Sequence, residues 1–317
     1  MKKIIITGGS GFLGKNLGNY LNKQGKYKVF LCSRNIETLR RSAALTSCEF
    51  YPMDVNSEIS IFDAFNFIQP EIVIHSAAAK FVDQAEKFPE ECFQTNVLGS
   101  INLLRVCKIF KVSKLIAIST DRAANLDFNI YSQSKSIMEN VLLTSAKNSK
   151  LKVSCLRFGN LCWSTGSVFN LWEEMTTKEK LVLSTGPNMR RFFMDVDEAC
   201  FLIKLVMENI NKCNGLIIID IMKSAQIANI LKVWSKIFKV NWKKIPSRKG
   251  DKLDEYLIAP NELKSAYKLK IKKRNLIAID KNIQNKNVFK KGISSKNTKK
   301  LSNAEITNFI INKPILL

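Results

Sequence analysis

The chain carries 317 residues, 46% hydrophobic and 24% charged, the balance of a soluble globular protein large enough for one α/β unit or two closely joined domains. No apolar stretch approaches the length of a membrane span, and eight cysteines without a C-x-x-C pair, beside a single histidine, argue against a zinc site and for reduced core thiols in a cytosolic, cytoplasmic protein. The net charge is +23, and residues 264–300 hold thirteen Lys/Arg against one acid; this reads as a lysine-rich solvated face, with no specific nucleic-acid partner expected.

The first strand is predicted over residues 3–7. The run "MKKIIIT" begins like a signal peptide, but Gly8 and Gly9 break it too early. A helical pattern over 11–23 follows, then strands over 28–33 and 49–53, a helix over 57–68 and a strand over 72–76. In the helix predicted over 96–110, Val97, Leu98, Ile101, Leu104 and Ile109 make one apolar face. A strand over 115–120, a helix over 131–149 and a strand over 153–158 complete the alternation. Several strands are continuously apolar, as strands buried on both faces should be. The expected fold is α/β: a doubly wound parallel sheet with a smaller, mixed C-terminal lobe. After Asn160 the rhythm loosens, and "IPSRKG" and "KKGISSK" read as loops. The expected division is 1–160, with 196–240 interleaved, for a dinucleotide and 161–317 for a substrate.

Gly8, Gly11 and Gly14 lie between the first strand and the first helix. A bare backbone there admits a pyrophosphate to the helix N-terminus, whose N–H groups and dipole favour an anion. The second strand ends "FLCSRN". An NAD-binding unit usually carries Asp or Glu at this point, whereas this chain has Ser33 and Arg34, followed by Arg40 and Arg41. Arg34 would attract a 2′-phosphate that a carboxylate would repel, so NADP is expected rather than NAD.

Tyr131 and Lys135 stand four apart, on one face of a helix. A nearby ammonium should lower the tyrosine pKa, so that Tyr131 can remove a hydroxyl proton while hydride leaves the same carbon for a nicotinamide. Arg190 and Arg191 are candidate diphosphate ligands, or a solvated pair. His75 closes a predicted buried strand and reads as a satisfied core histidine; a Ser-His-Asp hydrolase is disfavoured.

The segments "TGGSGFLG", "HSAAAK", "TN", "STD" and "YSQSK" occur in the order of the extended short-chain dehydrogenase/reductases. With "AAAKFVDQAEKFPEECFQTNVLGS", "LRFGN", "TGSVFNLW", "PNMRRFFM", "GDKLDE" and "SSKNTKKLSNAEI", the chain resembles the inverting UDP-N-acetylglucosamine 4,6-dehydratases and related polysaccharide-biosynthesis proteins along almost its full length. The resemblance implies a Rossmann fold and an NADP-dependent lyase acting on a UDP-sugar, in an enzyme that often forms homo-oligomers. It implies that Gly8, Gly11, Phe12 and Gly14 hold the pyrophosphate and that Asp54 and Val55 border the adenine. Ala77, Ala78 and Lys80 would line the cofactor path, Lys80 also reaching the substrate, with Asn96 beneath the nicotinamide. Thr120 would hydrogen-bond the sugar, Tyr131 with Lys135 would drive oxidation at C4, and Asp121 would be the acid for the C6 hydroxyl. Asn160, Ser167, Val168, Arg191 and Glu255 would face the UDP-sugar.

The chain departs from the resembled pattern at Arg122, which replaces a lysine that could act as a base; a guanidinium stays charged. Arg122 could still stabilise an enolate. The loop after "AAN" lacks the usual proline and is one residue longer, Ser132 replaces a frequent glycine, and Trp163 and Thr165 stand at Gly and Arg positions. These changes keep a 4-epimerase or 4-keto reductase open as the alternative to a dehydratase.

Overall fold

A computed structural model describes residues 1–124, 129–146, 149–246, 251–283 and 288–316. The chain opens with β1 (Lys2–Thr7), α1 (Phe12–Asn22), β2 (Tyr27–Ser33), α2 (Ile36–Thr46), β3 (Glu49–Pro52), α3 (Glu58–Ile68) and β4 (Ile72–His75). Next come α4 (Val82–Lys87), α5 (Pro89–Phe93), a π-helical turn (Gln94–Leu98) that runs into α6 (Gly99–Ile109), and β5 (Lys114–Thr120). A 3₁₀ turn (Asp121–Ala124) precedes α7 (Ile130–Ala146), β6 (Lys152–Phe158) and β7 (Asn160–Leu161). The later part holds α8 (Val168–Glu179), β8 (Leu181–Thr185), β9 (Arg190–Met194), α9 (Val196–Glu208), α10 (Ile210–Cys213) and β10 (Leu216–Ile219). It ends with β11 (Ser224–Gln226), α11 (Ile227–Phe238), β12 (Asn241–Ile245), β13 (Tyr256–Ile258), β14 (Ala266–Ile271), β15 (Arg274–Ile279), β16 (Ile293–Ser294) and α12 (Asn303–Ile311).

Among the described residues the main sheet has nine strands in the order β14-β15-β10-β6-β5-β4-β1-β2-β3. From β10 to β3 all neighbours are parallel, while the β14–β15 hairpin joins β10 antiparallel. This is the doubly wound Rossmann architecture expected from the alternation. Its strand order reverses between β1 and β4, and ligands bind at the carboxyl ends of strands flanking such a switch point. Ile4, Ile5 and Ile6 are all fully buried, which explains a strand with no polar face. β9 pairs with β7 and β11, β8 with β12, and β13 with β16, giving three small sheets beside the large one.

Local chemistry sets the element ends. The Asn35 side chain accepts from Thr38 N at 3.0 Å and starts α2, a helix not anticipated above. Ser57 accepts from Ser60 N and starts α3. The segment "KKGISSK", expected as loop, contains β16, and "IPSRKG" lies largely outside the described residues. The longer loop after "AAN" also falls mainly outside them.

One buried ionic knot ties distant segments together. Arg157 on β6 is fully buried and forks onto Glu139 of α7 (2.7 and 2.8 Å) and onto Glu262 (2.7 and 2.9 Å) of the 3₁₀ turn Pro260–Ser265. All eight cysteines are free thiols, and seven are buried. Among the described residues no helix is long and apolar enough to cross a membrane.

Candidate active site

A cleft of about 730 Å³ runs from the β1–α1 turn, past the ends of β4 and β5, to α8, β8 and β9. Its first wall is backbone. Gly8 has φ +66°, and a Cβ there would stand 2.8 Å from Ala77 N. A Cβ on Gly14 would lie 2.3 Å from Gly8 O, so Gly14 lets α1 start directly beneath the turn rather than lining the cleft itself. Gly11 caps α1 with no side-chain hydrogen bond, and the first turn holds no acid. Open N–H groups and an uncompensated helix dipole make this cradle a fit for a dinucleotide's pyrophosphate.

Phe12, Ser33, Arg34, Val55, Ala77, Ala78 and Lys80 also line the cleft. The Ser33 hydroxyl is buried without a partner in the protein, and Arg34 is exposed beside it. Arg40 and Arg41 sit on α2 away from the cleft, with Arg41 paired to Glu37. Asp54 is not in the lining; its carboxylate accepts from Asn56 N at 2.9 Å and bends the chain after β3. Asn96 also stands behind the wall. Its side chain accepts from Ala79 N (2.8 Å) and donates to Ala79 O (3.0 Å) and Ser134 Oγ (2.9 Å), so it fixes the loop that carries Ala77, Ala78 and Lys80. Lys80 Nζ donates to Thr165 O at 2.9 Å across the cleft, and burial lowers its pKa.

The loop after β4 is held by the histidine as well. The Thr7 hydroxyl accepts from Ser76 N and Ala77 N, both at 3.1 Å, so its own proton goes to His75 Nδ1 at 2.8 Å. His75 Nε2–H then donates to Ser100 Oγ at 2.9 Å, whose hydroxyl donates to Asn96 O. Burial drives the His75 pKa down to about 3, so the ring stays neutral and structural.

At the end of β5, Thr120, Asp121 and Arg122 meet Tyr131 and Lys135, all lining the cleft. Thr120 Oγ1 donates to Asp121 Oδ1 at 3.0 Å, and the threonine also hydrogen-bonds the Tyr131 phenol. Burial, followed by the neighbouring Glu255 carboxylate, pushes Asp121 up to about 7; its Oδ2 is buried without a hydrogen-bond partner. The tyrosine departs from expectation. Desolvation pushes its phenol up to about 12, and the cation acting against that rise is Arg122. Lys135 Nζ instead donates to Ile118 O at 2.6 Å and touches Met138 Sδ, and burial lowers it to about 8. With the Lys135 ammonium bonded to the strand carbonyl, Arg122 is the cation that most strongly opposes the rise of the phenol.

The second wall comes from the later chain. Asn160, Ser167, Val168 and Arg191 line it. Ser167 caps α8 with no side-chain bond, and its hydroxyl is buried without a partner. Arg191 lines the cleft, but Arg190 does not: it forks onto Asp254 with both contacts at 2.6 Å. Glu255 likewise lies behind the lining, 3.2 Å from Arg122 Nη2 and 3.9 Å from Arg191 Nε. Trp163, at φ +62°, is buried and donates from Nε1 to Phe309 O at 2.7 Å, so it anchors α12 rather than a ligand. Sequence reading missed Trp172, Ser184, Met189, Ile245 and Asp251, which all line this wall. They come from separate elements with no shared spacing; Trp172, Met189 and Asp251 lay inside the quoted segments "TGSVFNLW", "PNMRRFFM" and "GDKLDE" without being singled out.

The sheet order, glycine turn and Tyr131–Lys135 pair at one cleft define an extended short-chain dehydrogenase/reductase. Residues 4–279 match the polysaccharide biosynthesis protein family, and the chain belongs to it. It is 30% identical to the UDP-glucose 4-epimerase of Rickettsia bellii (strain OSU 85-389), over 98% of this chain and 96% of that protein. It is also 30% identical to the inverting UDP-N-acetylglucosamine 4,6-dehydratase of Campylobacter jejuni, over 84% of this chain and 80% of that one. The capsular polysaccharide biosynthesis protein CapD of Staphylococcus aureus matches at 30% over 83% of this chain but only 46% of its own length. In fold, Pen from Bacillus thuringiensis superposes with a TM-score of 0.89 at 24% identity, covering 100% of this chain and 98% of that one.

Proposed function

We propose that the chain is an NADP-dependent nucleotide-sugar 4,6-dehydratase, inverting at C5, that acts on UDP-N-acetylglucosamine or a close relative in surface polysaccharide synthesis. The observation that carries this reading is the joined set Thr120, Asp121 and Tyr131, facing a wall that presents Arg191 and the α8 N-terminus. A nicotinamide dinucleotide held at the glycine cradle would accept hydride from sugar C4 and return it to C6, with the C5 proton exchanged with solvent. Arg34 faces the 2′-phosphate. Tyr131 takes the C4 hydroxyl proton, with Thr120 orienting it. Asp121 retains a proton near neutral pH and gives it to the departing C6 hydroxyl. Arg191 and the first N–H groups of α8 hold the diphosphate, bordered by Asn160, Ser167 and Val168. Residues 1–160 and 196–240 serve the cofactor and 161–317 the sugar nucleotide, apart from the β14–β15 hairpin that extends the main sheet.

A specific observation favours a second reading, a 4-epimerase without dehydration. Arg122 is locked to Glu255 and remains a cation, so position 122 offers no base for the C5 proton. The two readings separate in one experiment. Purified protein is incubated with UDP-N-acetylglucosamine in deuterated water and the product analysed by mass spectrometry and NMR. A 4-keto-6-deoxy product carrying deuterium at C5 supports dehydration; an isomer of unchanged mass supports epimerisation; unaltered substrate sinks both.

A further inference from the structure

Arg122 has a buried ion-pair partner, although the geometry makes no hydrogen bond to it. Its Nη2 lies 3.2 Å from Glu255 Oε1, with the two side chains 19% and 3% exposed. The same carboxylate oxygen lies 3.9 Å from Arg191 Nε. Lys135, the cation expected against Tyr131, is directed to the Ile118 carbonyl. Arg122 is thus the cation whose field reaches the Tyr131 phenol, where Asp121 and Cys92 oppose it. It also acts on Asp121, where it and Arg191 favour the carboxylate and Glu255 opposes it. Asp251 and Lys252 complete the charged groups around the pair.

We propose that Arg122, anchored by Glu255, is a positioning residue that holds a permanent positive charge against the Tyr131 phenol and the Asp121 carboxyl, and exchanges no proton with the sugar. A lysine at this point could lose its proton when desolvated; a guanidinium cannot. The substitution therefore converts a candidate base into a fixed field. The inference rests on Tyr131 as base and Asp121 as acid, and it carries a signature that packing alone does not produce. Removing the cation makes both groups hold their protons more tightly. Removing Glu255 takes an anion away from Asp121 and leaves Arg122 uncompensated, so both groups release protons more readily. The two halves of one ion pair act with opposite sign.

The test uses the full chain labelled with ¹³C at aspartate carboxyls, with the Asp121 signal assigned through Asp121→Asn. Arg122→Gln is expected to move the Asp121 titration midpoint upward, and Glu255→Gln to move it downward. Arg122→Lys, charged only while its ammonium keeps its proton, is expected to fall between the parent and Arg122→Gln. In parallel, Arg122→Gln slows C4 oxidation by about tenfold at fixed pH, the equivalent of one unit in the proton affinity of Tyr131. Midpoints that move in the same direction in Arg122→Gln and Glu255→Gln, or a midpoint indifferent to Arg122→Gln, overturn the proposal. If Arg122→Gln does not fold, Arg122→Met takes its place, with the same upward shift expected and an unmoved midpoint overturning the proposal. Full activity in Tyr131→Phe or Asp121→Asn would instead remove the catalytic reading while leaving these titration shifts in place.

Discussion

The two walls of the cleft are built by different means. The wall at the β1–α1 turn is framed by backbone: a left-handed glycine, a helix start and the carboxyl ends of parallel strands. The opposite wall presents side chains brought together from α8, β8, β9, β12 and the segment around Asp251. A backbone site tolerates no added atoms, and its preference for an anion comes from N–H groups and the helix dipole rather than from any one side chain. A side-chain site can be retuned one residue at a time, and Arg122, also in the cleft lining, is where we propose such a change.

The comparison breaks first at Arg157, the knot that joins both parts of the chain. Arg157→Met leaves Glu139 and Glu262 buried without their cation and should destabilise the whole fold by about 3–5 kcal/mol, read by urea unfolding. Loss of the sugar wall alone, with the main sheet intact, would show the walls fold independently. Gly14→Val drives side-chain atoms into Gly8 O and should weaken dinucleotide binding by about a hundredfold, the effect of about 3 kcal/mol of overpacking, while UDP binding persists. Equal loss of both ligands in calorimetry would contradict the division. Arg191→Ala is the converse: UDP affinity falls by about tenfold or more, as for a lost charge-assisted bond, and NADP affinity holds. Arg34→Asp should shift preference from NADP towards NAD by about tenfold, and an unchanged ratio would remove Arg34 from the 2′-phosphate. The smallest effect is on pH dependence. Asp121 is raised to about 7, so its proton is present below that pH and lost above it; elimination should decline as pH rises through about 7, while C4 oxidation does not follow the same limb.

Legibility follows the same division. The alternation of apolar strands and helices predicted the parallel sheet, and Gly8, Gly11 and Gly14 announced the cradle because a local turn needs local residues. Tyr131 and Lys135 were visible by spacing, but the direction of Lys135 was not: it depends on the Ile118 carbonyl of a neighbouring strand. Arg190 and Arg191 read alike in sequence, and only strand alternation together with the carboxylate of Asp254 separates them. Glu255 was expected at the substrate, yet its burial against Arg122 arises from a contact between segments more than a hundred residues apart. The β14–β15 hairpin escaped notice because Lys268 and Lys270 alternate with Tyr267, Leu269 and Ile271, and the lysines masked a half-buried strand.

The central claim is that Tyr131 removes a proton from the sugar's C4 hydroxyl. Single-turnover reduction of bound NADP⁺ by UDP-N-acetylglucosamine tests it most directly, comparing the parent with Tyr131→Phe. The account predicts a fall of about a thousandfold in the rate at which reduced nicotinamide accumulates, with UDP-sugar affinity nearly unchanged. Reduction at the parent rate in Tyr131→Phe would contradict it.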